Sequence, residues 1–529
     1  MKHSGIISKN KYAMWIYGML FISAMLPALL AVKNINISPD SMIYALMSQE
    51  ILSGSGLRLP IIINMEYNHV FINGSVPFPA KPPLLPILYA ILGGVTPQSF
   101  LAAQIINVIS HVVISIFTFL LMKKLYDNNG IALLTGILVS LSFPLLRNTH
   151  YMLSETLFIA LTVAALYFLV LSRHCGSRQF IRNLFIAGIC GSAAILTKFT
   201  GAALIPVFAW EAFISVKNKR IKSKYVSAVS AIMLPVITMG TLFIRNLIIS
   251  GTIQGWNPPP PERSYLSAFT GTIKMIYLQF DLGKRPVTLI TIFAVLLILY
   301  IIVNANARRE LSKYVHSGLD LIIVFIISLT MLISYAMATS QTVFELRYAS
   351  PLVPFLFILC IIIIVFVREM IRLKGFSKLS LCGIILSLGI ITFGNCYKTY
   401  LHSQEFSYRN ARQYFILNSS TYKWIKENYG ENVIITTNKP YHLSFFGGYS
   451  TIQLPHKRFN KNFRIPDNME LFLPDRMSGF GSRVLALFEE AEEQYEGSYV
   501  SGLFNKREGD DNFVLMRKFP DGVVYNLKE

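Results

Sequence analysis

A polytopic α-helical membrane protein with a small water-soluble C-terminal segment is the fold class that three features of this 529-residue chain predict. Its residues are 53% hydrophobic and only 14% charged, too few charges to coat a soluble globule of that size. Apolar runs of about 17–25 residues, the length that crosses a hydrocarbon core as helix, recur from Ala13 to Tyr397 and then stop. The basic residues fall in alternate short loops, so the formal charge of +20 marks topology and not nucleic-acid binding.

Lys2, Lys9 and Lys11 precede the first run. Lys123 and Lys124, then Arg173, Arg178 and Arg182, then Lys217, Lys219, Arg220, Lys222 and Lys224 follow later ones, as do Arg308, Arg309 and Lys313, and finally Arg368, Arg372, Lys374 and Lys378. The positive-inside rule puts these segments in the cytoplasm. Under that constraint there are about eleven spans, at 13–32, 98–122, 131–147, 157–172, 184–198, 201–216, 226–245, 286–304, 319–339, 350–367 and 380–397. An odd number with the N-terminus inside leaves residues 398–529 outside as a soluble domain, while residues 1–397 carry the spans and a long first outer loop, 33–97. No small-residue cleavage site precedes the polar segment after Lys33, so the first span reads as a retained anchor. None of the five cysteines lies in the outer segment, and no disulfide framework or thiolate metal site follows from them.

The outer segments contain the elements of interest. In the first loop, Met42, Ile43, Leu46, Met47 and Ile51 stand at helix-like spacing, which predicts an amphipathic helix lying in the interface, with Ser38 as cap and Pro39 near its start. Residues 84–94 are apolar but too short to cross, and predict a partly embedded helix entering the next span. Pro258 to Pro261 form a run that favours polyproline II, read as a stiff linker in preference to a lid. A helical stretch from Arg409 to Tyr429, a strand at Val433 to Thr437 and a turn near Gly447-Gly448 predict a small α/β module at the C-terminal end.

Polar groups are costly in lipid, and a cluster of them at one membrane face usually lines a site. Asp40, Tyr44, Glu66, His69 and Lys81 fall in the first outer loop, Arg147, His150 and Glu155 in the second. Lys198 lies between the fifth and sixth spans, Arg245 and Asn246 follow the seventh, and Glu345, Arg347 and Tyr348 join the ninth to the tenth. Few ionisable residues reach mid-membrane depth, and no internal repeat is evident, which disfavours a transporter. His69 and His150 have no partner at zinc-ligand spacing.

Several stretches carry a resemblance. Asp40 with Tyr44 opens the first loop and Lys81-Pro82-Pro83-Leu84 ends it; Ser154-Glu155-Thr156, Leu196-Thr197-Lys198-Phe199-Thr200-Gly201, Arg245-Asn246 and Arg347-Tyr348-Ala349-Ser350-Pro351 follow in order. Together these resemble the GT-C superfamily of membrane glycosyltransferases, and within it the bacterial branch related to protein O-mannosyltransferases and the aminoarabinose transferase of lipid A. The resemblance implies the GT-C fold, the bacterial inner membrane, a polyprenyl-phosphate-linked sugar as donor, and a lipid, glycan or protein acceptor. It makes Asp40 the catalytic base of an inverting displacement, with Glu155 positioning the acceptor or helping to hold a metal. Lys81 and Arg347 become the leading cations for the donor phosphate, with Tyr44, Tyr348, Arg147, Lys198 and Arg245 beside them. A divalent metal, Mg2+ or Mn2+, is admitted by the resemblance without being required. Ala80 stands where the lipid A enzymes tend to carry an acid, and Ser41 where protein mannosyltransferases often carry one, so neither acceptor is selected.

Each residue also has a plainer reading. Asp40 and Glu155 suit the first turn of a helix, where a negative charge is favoured in any case. Lys81, Lys198, Arg147 and Arg245 suit interfacial anchors, and Tyr348 an aromatic-belt residue. The competing functions are a lipid-linked sugar flippase or transporter, and an O-antigen ligase-like transferase.

Overall fold

The computed structural model describes residues 2–33, 35–62, 75–175, 177–217, 222–253, 255, 263–279, 304–339, 345–371, 394, 401, 415–454, 469–489, 499–506 and 508–528. The chain forms two compact units: Met1–Ile35, Gln104–Arg245 and Pro261–Gln404 make one, and Asn36–Ala103, Asn246–Pro260 and Glu405–Glu529 the other.

The first unit holds the membrane helices. Among the described residues, seven helices are long and apolar enough to cross a bilayer: Met14–Val32, Leu101–Leu125, Glu155–Arg173, Arg178–Thr197, Ala231–Ser250, Leu311–Thr339 and Leu346–Val367. These match seven of the expected spans. The expected span at 201–216 is the shorter apolar helix Phe199–Ile214, and those at 286–304 and 380–397 fall almost wholly outside the described residues. The expected span at 131–147 is not one helix: Asn129–Ser140 and Phe143–His150 meet at 45°. Pro144, in the first turn of the second piece, explains the break, because its ring and missing N–H prevent the preceding turn from continuing.

Of these seven helices Glu155–Arg173 is the best covered, 72% buried against 17% for Ala231–Ser250. Phe158 and Val163 from it, Phe325 and Phe355 share one core, and the last two rings meet edge to face at 4.9 Å. At its C-terminal end Arg173 donates to both oxygens of Asp320, at 2.7 and 3.0 Å, and to Glu211 at 2.6 Å. Trp210 Nε1 donates to Asp320 at 2.8 Å. Two acids thus share one fork-shaped cation, the arrangement in which a guanidinium is better than an ammonium. Nearby, Gly318 has φ of 120°, and a Cβ there would lie 2.6 Å from Val170; only glycine lets the chain pass.

The second unit is a six-stranded sheet with helices. Its strands are β1 Arg58–Leu59, β2 Ile61–Ile62, β3 Val76–Pro77, β4 Ile434–Thr437, β5 Ser450–Gln453, β6 Val484–Phe488, β7 Phe513–Phe519 and β8 Gly522–Leu527. The order is β2-β5-β4-β6-β8-β7, with β1 and β3 as a separate antiparallel ribbon. β2, β5, β4 and β6 run parallel, and β8 and β7 complete the sheet antiparallel. By contacts the first loop groups with the C-terminal segment: β2 belongs to that loop, and its ladder with β5 joins it to the sheet. Leu485, Leu487, Phe513 and Tyr525 fill one face of the sheet, Ile435, Ala486, Phe488 and Val524 the other. The α/β character expected of the C-terminal segment is present. Its expected first helix is broken at Ser419, whose side chain caps the Ser420–Asn428 helix; residues 409–414 lie outside those described.

Candidate functional site

In the second unit, Pro39 starts the Pro39–Leu52 helix, with fixed φ and no N–H to lose. Ser38 caps it by accepting from the Ser41 N–H at 3.2 Å. Asp40 is thereby fixed in the first turn, and Tyr44, four residues on, lies on the same helix face. The helix is covered by protein on more than one side. Residues Ser41 to Ser48 are all buried, because the Leu84–Ile91 helix and the Pro440–Gly447 helix pack against it. Leu84–Ile91 is the short helix expected before the next span, but positive-φ glycines at Gly93 and Gly94 turn the chain before Leu101. A Cβ on Gly94 would meet Leu52 at 2.7 Å.

Lys81 reaches Asp40 at 2.9 Å, and its ammonium stands 5.8 Å from the centre of the Tyr44 ring. Both charged side chains keep about a quarter of their surface open, 25% and 29%. Gly255 fixes the segment before Lys81 by close approach, since a Cβ there would lie 2.8 Å from the Pro79 carbonyl carbon. Tyr441 belongs to the same environment. Burial, then the Asp40 carboxylate, push its phenol above the ordinary range, and Lys81 offsets part of the effect. Beside it, burial and then the charge of Lys439 push the His442 imidazole down to about 3, so it is neutral at ordinary pH.

In the first unit, Glu155 lies in the first turn of its helix and accepts from Lys198 Nζ at 2.7 Å. Arg347 Nε is 4.0 Å from Glu155 and pairs more closely with Glu345. Lys198 and Arg347 each stand 5.2 Å from the centre of the Tyr348 ring. The loop carrying Arg347 is pinned: Ser350 donates to the Arg347 carbonyl at 2.6 Å, and Asn148 donates to Ser350 at 2.6 Å. Arg147 stacks over Phe143 at 5.9 Å, within electrostatic reach of Glu345. Arg245 is half-buried near the end of the Lys222–Ser250 helix.

The structure thus gathers the residues singled out from the sequence into two sets. Asp40, Tyr44 and Lys81 make one, and Glu155, Lys198, Arg347 and Tyr348 the other. Glu66, His69 and the four-proline run lie outside the described residues. Among the described residues, no three His, Cys, Asp or Glu side chains stand together as a metal-holding group, and the Ala80 side chain offers no oxygen beside Lys81. Tyr441 and His442 escaped notice in the sequence. Their one signal was Lys439-Pro440, a helix start that brings the next residues to the first turn.

Comparison with known proteins gives the setting. Residues 80–240 match the family described as dolichyl-phosphate-mannose-protein mannosyltransferase. The matched stretch includes Lys81, Arg147, Glu155 and Lys198. The fold is similar to ArnT from Cupriavidus metallidurans bound to undecaprenyl phosphate, with a TM-score of 0.60 at 12% identity over 98% of each chain. It is also similar to the archaeal oligosaccharyltransferase AglB from Archaeoglobus fulgidus, in complex with an inhibitory peptide and a dolichol-phosphate. That match has a TM-score of 0.53 at 13% identity, over 91% of this chain and 70% of the other. No curated protein sequence gives a significant match. At these identities what is shared is the fold.

Proposed function

We propose that this chain, whose fold is that of the GT-C membrane glycosyltransferases, moves a sugar from a polyprenyl-phosphate carrier to the hydroxyl of a lipid, glycan or protein acceptor. The setting is the outer face of the bacterial inner membrane, with the N-terminus cytoplasmic and the C-terminal segment periplasmic. The observation that supports the reading is the Asp40 to Lys81 pair, a carboxylate and an ammonium 2.9 Å apart and both partly exposed.

Asp40 takes the proton of the acceptor hydroxyl as the oxygen attacks the anomeric carbon. The bond from that carbon to the phosphate oxygen breaks, and the lipid phosphate leaves with the electron pair. Lys81 neutralises the charge that develops there. A single displacement inverts the anomeric centre. Glu155, whose carboxylate is already committed to Lys198, is a positioning residue under this reading and not a second base. In the span-bearing unit, considered by itself, Arg347 is proposed as an anion-binding cation, with Tyr348 as its platform and Lys198, Arg147 and Arg245 in supporting parts.

The experiment is mass spectrometry of lipid-linked sugars and envelope glycans in cells carrying the wild-type protein or Asp40→Asn at equal membrane abundance. Removing a general base costs about 10²–10⁴-fold in rate, so one polyprenyl-phosphate sugar should accumulate in the mutant and one glycosylated product should disappear. Unchanged pools and products would reduce Asp40 to a helix-start residue and leave the flippase reading standing.

A further inference from the structure

In the span-bearing unit, the loop that carries Arg347 is fixed along its backbone and open at one side chain. Gln279, buried at the end of the Tyr265–Gln279 helix, donates to the Leu346 carbonyl. Ser350 donates to the Arg347 carbonyl at 2.6 Å and is itself held by Asn148, and the Tyr348 N–H donates to the Glu345 carbonyl at 3.1 Å. Residues 345 to 347 thus have each carbonyl engaged, so the backbone that presents Arg347 is held independently of what the guanidinium binds.

The guanidinium has two carboxylates within reach, and they are not equivalent. Glu155 is 4.0 Å away, 4% exposed and committed to Lys198 at 2.7 Å. Glu345 makes the closer pair and is 47% exposed. Water takes up a carboxylate of that exposure at small cost, whereas releasing a buried one strands its partner. Glu345 is therefore the acid that can give way to an incoming anion, and a rotation of its own side chain is enough.

The reaction proposed above, on which this inference rests, changes the charge of the lipid. The sugar-bearing lipid is a phosphodiester with a single negative charge, whereas the lipid phosphate left after transfer is a monoester carrying about 1.5 to 2 at neutral pH. A cation alone therefore holds the product more tightly than the donor. We infer that Glu345 is a specificity-determining residue of the Arg347 anion site: a resident counter-ion that an incoming lipid phosphate displaces, and whose carboxylate, still nearby, disfavours the monoester product more than the diester donor. No bond forms or breaks at Glu345. When the product leaves, the carboxylate returns to Arg347.

The test titrates the full chain in nanodiscs with two ligands that differ in charge, a polyprenyl phosphate and its methyl ester. Glu345→Gln keeps the size of the side chain and removes its charge. By the worth of an exposed charge pair, affinity for the methyl ester should rise about twofold and, with nearly twice the ligand charge, affinity for the phosphate about fourfold. A damaged loop weakens binding, so a gain separates this role from a merely structural one. In an Arg347→Met background the gain for the phosphate should fall below about twofold, because Glu345 acts on the ligand chiefly by occupying that cation. Equal gains for the two ligands, no gain, or weaker binding in Glu345→Gln overturn the proposal, as does a gain undiminished in the Arg347→Met background. If Arg347→Met alone binds both ligands as the wild type does, the anion-binding reading of Arg347 falls and takes this one with it; if Arg347→Met weakens binding and Glu345→Gln changes nothing, only the role of Glu345 falls.

Discussion

Among the described residues, each unit has a lysine held to a carboxylate at nearly the same distance, 2.9 Å for Lys81 with Asp40 and 2.7 Å for Lys198 with Glu155. Their surroundings differ. The Asp40 pair keeps 29% and 25% of its side-chain surface open, whereas Glu155 keeps 4% and Lys198 17%. Glu155 also has a second cation at 4.0 Å in Arg347. A half-open pair contributes little to stability and exchanges partners at small cost, while a buried pair is expensive to break because one charge is stranded. The difference separates a pair suited to working chemistry from a pair suited to holding helices together.

Breaking the buried pair should give the largest structural effect. Lys198→Met leaves Glu155 in a site with almost no access to water, and the loss of stability should be about 3 kcal/mol, at the low end for such pairs because Arg347 remains. Thermal melting of the purified protein in detergent should show a clear fall. Lys81→Met should leave the melting point nearly in place and remove transfer. If the two variants melt alike, the contrast between the pairs is wrong.

An intermediate effect is expected at Arg347. Arg347→Lys keeps the charge but loses the planar fork that can hold two oxygens at once. Donor affinity, measured by titrating polyprenyl phosphate into the protein in nanodiscs, should weaken about tenfold, or ~1.4 kcal/mol. An unchanged affinity would remove Arg347 from the donor site and leave it as the partner of Glu345 and Glu155.

The sequence made the spans legible because length and apolarity alone decide whether a helix can cross. The bend at 141–142 was in view as well, through Pro144, but an apolar run hides a break of two residues. What could not be read was what covers the Pro39–Leu52 helix. Met42, Ile43, Tyr44, Leu46 and Met47 are equally at home against lipid or protein, and part of the covering comes from a helix some 400 positions away. β2 is two residues long, and its partner β5 lies equally far off, so no local pattern announces it. The residues of the candidate site were individually visible as polar groups beside apolar runs. Their pairing, across 41 positions for Asp40 with Lys81 and 43 for Glu155 with Lys198, is a product of the fold alone.

The smallest effect is the one that most sharpens the comparison. Asp40→Asn removes the charge from the half-open pair and keeps the shape, and its cost to stability should stay under about 1 kcal/mol, since pairs of this exposure are worth 0–1. The helix start loses a favourable charge as well, but Ser38 still supplies the cap that satisfies its N–H groups. A variant that is inactive yet melts with the wild type would place the whole effect on the reaction. If Asp40→Asn instead lowers the melting point as far as Lys198→Met does, Asp40 is a structural partner of Lys81, and exposure is the wrong measure of what separates the two pairs.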